Sequence, residues 1–81
     1  MKNPQFEVVC LLEADADEAD ELASEPLARL KGLGDSLVIA GGDGLFKVHI
    51  HCDDTDAAIA ICGEIGQVVD SQVERLMPGQ A

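Results

Sequence analysis

The sequence predicts an α+β fold with the element order β-α-β-β-α-β. Three features carry that prediction: four short runs rich in β-forming residues, a Gly-Gly-Asp-Gly turn joining two of them, and two stretches with apolar residues at helical spacing. Eighty-one residues suffice for one domain spanning 1–81, with an ordered core expected over about residues 5–77.

Gln5 to Leu12 is bounded by Pro4 and an acidic run, and its β-formers predict the first strand. Asp15 to Glu25 concentrates acidic residues, as a solvated loop or a helix start does. Ser24-Glu25-Pro26 then reads as a helix start, since proline is tolerated in the first turn. Leu27, Leu30 and Leu33 follow at helical spacing, and Gly32 and Gly34 mark the end of a short helix. Ser36 to Ala40 is the second strand. Gly41-Gly42-Asp43-Gly44 is a turn, and Leu45 to Cys52 is the third strand, so the pair reads as a hairpin. Asp53-Asp54-Thr55 offers an N-cap for a second helix, whose stripe is Ala58, Ile61, Cys62 and Ile65, with Gly66 closing it. Gln67 to Leu76 holds the fourth strand, and Pro78 to Ala81 is a loose tail.

This order matches the ferredoxin-like split βαββαβ unit: a four-stranded antiparallel sheet with two helices on one face and the other face open. The first and third strands are then central neighbours and run antiparallel.

Composition excludes several functions. Five Lys+Arg against 16 Asp+Glu give a net charge of −11, which repels phosphate backbones, anionic membranes and unaided ATP. Phe6 and Phe46 are the only aromatics, so the stacking platforms of a single-strand nucleic-acid binder are missing. No apolar stretch reaches the length of a membrane span, and the first residues lack the apolar core of a signal peptide. Three cysteines without paired spacing argue against a disulfide framework and fit a reducing cytoplasm.

Side chains alternate along a strand, so parity separates the two faces. Phe46, Val48, Ile50 and Cys52 form the apolar face of the third strand, leaving Lys47, His49 and His51 on the open side. Phe6, Val8, Cys10 and Leu12 form the matching core face of the first strand, and Glu7, Val9 and Leu11 accompany the histidines. The start of the first strand meets the end of the third, which brings Glu7 toward His49 and His51. The two histidines have Cα atoms ~6.6–7 Å apart on one face. Two imidazoles and a carboxylate could hold a divalent ion, with Zn²⁺ the best fit, or form a hydrogen-bonded Glu–His group without metal. His-x-His on a strand also arises by chance, as exposed surface with no role. Cys10, Cys52 and Cys62 read as buried small hydrophobes. Gly41-Gly42-Asp43-Gly44 lacks the Gly-Lys-Ser/Thr ending of a phosphate loop, and the acidic run lacks the spaced ligands of an EF-hand.

Leu33-Gly34-Asp35-Ser36-Leu37-Val38-Ile39, Lys47-Val48-His49-Ile50-His51 and Gly63-Glu64-Ile65-Gly66 together resemble the central domain of bacterial Dak2-fusion proteins, the kinase subunits of fatty acid kinase. The resemblance runs from about Phe6 to Leu76. It implies a central module lying between an ATP- and Mg²⁺-binding dihydroxyacetone-kinase-like domain and a C-terminal region that docks a DegV-like fatty-acid-binding partner. It also implies a homodimer and a Cys/His/His cluster needed for activity, with His49 and His51 as the histidines. The family's cysteine aligns with Glu7 here, while Cys10, three residues on, points to the core. Glu7 is therefore the expected third member, catalytic and metal-ligating together with the two histidines. A stand-alone dimerising or ligand-sensing module and a small metal carrier are the rival readings. The carrier ranks last, because no Cys-x-x-Cys is present.

Overall fold

The computed structural model describes residues 4–15 and 25–76. Most of the acidic run, with Ser24 of the expected helix start, and the tail from Pro78 lie outside the described residues. The described elements are β1 (Phe6–Glu13), α1 (Glu25–Leu33), β2 (Gly34–Gly42), β3 (Leu45–Cys52), α2 (Thr55–Ile65) and β4 (Gln67–Arg75). The strands form one sheet in the order β2-β3-β1-β4, every neighbouring pair antiparallel. This is the ferredoxin-like arrangement.

The core lies on one face of the sheet. Val8, Cys10 and Leu12 of β1 and Val48, Ile50 and Cys52 of β3 point into it, against Leu30 of α1 and Ala58, Ile61, Cys62 and Ile65 of α2. The residues between them on β1 and β3 remain partly exposed or exposed on the other face, as the period of two requires. Leu30 is fully buried, and burying a leucine contributes roughly 1.5–3 kcal/mol. Among the described residues, no helix is long and apolar enough to cross a membrane.

Helix ends follow local chemistry. Pro26 occupies the first turn of α1, and Arg29 pairs with Glu25 one turn back at 2.6 Å. Arg29 also bonds Glu64 of α2, tying the two helices together on the outside. The Asp54 carboxylate accepts a hydrogen bond from the Ala57 N–H at 3.1 Å and so caps α2. Gly66 ends α2 as expected, but in extended backbone (φ −163°) rather than a left-handed cap.

The hairpin turn is tighter than the four-residue signal suggests. β2 runs through Gly42, leaving Asp43 (φ 56°) and Gly44 (φ 85°) as a two-residue turn with both φ positive. That is the type I′ geometry that an Asp-Gly pair favours and that matches the twist of the flanking strands.

β2 is also longer than its run of apolar residues. It starts at Gly34, which pairs with Cys52, followed by Asp35 opposite His51. A Cβ at residue 34 would lie 2.0 Å from the His51 carbonyl oxygen, so only glycine permits this approach. Between Asp35 and Val38 the register slips by one residue, a β-bulge, with Ser36 in the left-handed region at φ 58°. The bulge lies beside the histidine strand.

Candidate metal centre on the open face

Antiparallel pairing of β1 with β3 places Glu7 opposite His51 and Val9 opposite His49. All four belong to the helix-free face. Glu7 Oε1 lies 2.6 Å from His49 Nε2 and 3.4 Å from His51 Nε2. One ligand atom from each of the three residues lies within 4.8 Å of the others. The two imidazole rings stand 5.0 Å apart, centre to centre, at 59° to one another. Their side chains are 30% and 24% exposed, and that of Glu7 27%, so the group is shielded yet reachable from solvent.

The electrostatics follow from these contacts. The hydrogen bond with His49 holds the Glu7 carboxyl below its ordinary pKa, outweighing the opposing effect of burial, and His51 adds to it. Glu7 is thus an anion facing two imidazole nitrogens. Sheet register adds a carboxylate on either side: Asp35 stands opposite His51 on β2, and Glu74 opposite Glu7 on β4. The row Asp35–His51–Glu7–Glu74 crosses all four strands on one face, and its charge favours a cation.

The structure therefore brings together Glu7, His49 and His51, the three residues singled out by parity. Cys10 is separate. It is fully buried on the core face, and β1 pairs with β3 in regular register from Phe6 to Glu13, so no irregularity there turns the thiol outward. Cys10, Cys52 and Cys62 are all free and buried. Burial pushes the Cys52 thiol up, and the hydrogen bond with Cys10 together with burial does the same for Cys62. Both therefore stay protonated and weakly reactive at neutral pH.

Sequence reasoning did not find the Ser36 carbonyl, which lies 3.4 Å from His49 Nδ1. Parity cannot locate it, because the bulge breaks parity there. The only hint is Gly34-Asp35, weak β-formers placed directly before an apolar run. A concavity at the hairpin end of the sheet, lined among others by Glu13, Asp43 and Glu64, does not include the histidines.

Residues 3–81 match the family model of the FakA-like middle domain of fatty acid kinase. The chain belongs to this family. No curated protein matches it. Membership makes the domain a module of a fatty-acid-kinase-type protein, and the match extends across all three segments that carried the resemblance.

Proposed function

We propose that this FakA-like middle domain is the dimerising and active-site-completing module of an enzyme that phosphorylates a carrier-bound fatty acid. In this reading ATP and Mg²⁺ bind a separate kinase domain, and a DegV-like protein delivers the fatty acid in the cytoplasm. The observation that carries the reading is the convergence of Glu7, His49 and His51 on the open face.

The donor set, two imidazoles and one carboxylate with their ligand atoms within 4.8 Å of one another, fits zinc. Glu7, His49 and His51 would hold the ion, which when bound supplies concentrated positive charge. The fatty acid carboxylate is already ionised at neutral pH, so its attack on a phosphoryl group needs no general base. Phosphoryl transfer depends chiefly on positioning and on neutralising charge. The two imidazoles stand on a rigid central strand and fix where an incoming carboxylate is met. Their partial burial keeps bulk water from screening the encounter. The same face supports the dimer reading, since Val9 and Leu11 flank the site and Val38 is 55% exposed beside His49.

The test is the His49→Ala/His51→Ala double variant in the complete assembly of kinase domain, this module and loaded partner. Acyl phosphate formation is expected to fall by roughly a hundredfold or more, as when preorganised charge stabilisation is lost. Nucleotide binding by the separate domain should persist. Wild-type turnover would refute the reading.

A further inference from the structure

We infer that the bulge in β2 is a positioning device: its Ser36 carbonyl holds the His49 ring so that Nε2, not Nδ1, is the nitrogen offered to a metal. The inference deepens the metal-centre reading of Glu7, His49 and His51 and rests on it.

The argument begins with the backbone. Asp35 to Val38 spans three steps, while the partners His51 to His49 span two, so β2 carries one extra residue at this point. Ser36 absorbs the excess by adopting φ 58°, a conformation uncommon outside glycine. The result is a carbonyl directed at the ring beside it, 3.4 Å from His49 Nδ1.

A carbonyl oxygen can only accept, so the nitrogen facing it carries the proton. That leaves Nε2 at 2.6 Å from Glu7 Oε1, a carboxylate oxygen that can only accept. Two lone pairs so close require a proton or a metal ion between them. The ring is thus held at one nitrogen by the backbone and aims the other at the point shared with Glu7 and His51. Turning the ring over would forfeit both contacts. Metal-bound histidines commonly donate their second N–H to a carbonyl or carboxylate, and losing that partner typically costs ten- to a hundredfold in affinity.

The experiment uses the 81-residue domain and zinc as the probe. Long-range ¹H–¹⁵N correlation spectra of the zinc-loaded protein should show His49 bound through Nε2, with its proton on Nδ1. In parallel, Ser36→Gly, which accommodates positive φ, should keep wild-type zinc affinity. Ser36→Val, whose branched side chain opposes that conformation, should lose about tenfold. Far-UV circular dichroism checks that both variants fold, and the nitrogen assignment on the wild type needs no variant. Zinc bound through Nδ1, or equal affinity in Ser36→Val and wild type, overturns this inference alone. A wild type that binds no zinc removes the metal reading as well.

Discussion

Glu7 is the residue on which the site turns. It is a carboxylate held between two imidazoles, and that position has a consequence for acid stability. Because its pKa is lowered in the folded state, its stabilising contribution is present above the ordinary glutamate value of about 4.3 and is lost as pH falls through the depressed folded value. Glu7→Gln abolishes that titration. Denaturant midpoints measured at neutral pH and near pH 3 should therefore show the wild type losing more stability on acidification than the variant. Parallel losses in the two proteins would contradict the proposed environment of Glu7. The three buried thiols carry no such consequence, since each lies on the core side and none faces the histidines.

The elements of the fold were largely legible, and the places where they were not share a cause. β3 and the stripe of α2 follow directly from alternation and from i, i+3, i+4 spacing, because each has one buried side. β2 extends beyond its apolar run at both ends, since Gly34, Asp35, Gly41 and Gly42 are weak β-formers held in the sheet by pairing with β3. Tertiary pairing overrides propensity there, and the bulge hides the Ser36 contact from any parity argument. Gly34 offers a test at this scale. In Gly34→Ala the new methyl would overlap the His51 carbonyl, so β2 or the histidine strand must shift. Urea unfolding should show a loss of roughly 1–3 kcal/mol, as overpacking produces. Gly63→Ala provides the contrast, since nothing stands within 4 Å of a Cβ added in that helix. It should gain up to about 1 kcal/mol.

At the scale of the whole molecule, the fold divides its labour between two faces. One is covered by helices and supplies the core, and the other presents the acid–imidazole row among valines and a leucine. Antiparallel pairing of β1 with β3 is what joins Glu7 to residues more than forty positions away, so the site was readable from sequence only once that topology was assumed. The proposed dimer gives a prediction here. Val38→Lys places a charge in the exposed apolar part of the open face, and sedimentation velocity should show a shift toward monomer with circular dichroism unchanged. An unaltered sedimentation coefficient would move the interface elsewhere. The central claim is that Glu7, His49 and His51 act as one metal-binding unit. Its most direct test is zinc titration by calorimetry of the wild-type domain against Glu7→Ala, His49→Ala and His51→Ala. One equivalent of zinc bound by the wild type, with affinity lost in all three variants, is the predicted result. A wild type that takes up no zinc, or binds it as tightly in the variants, would contradict the claim.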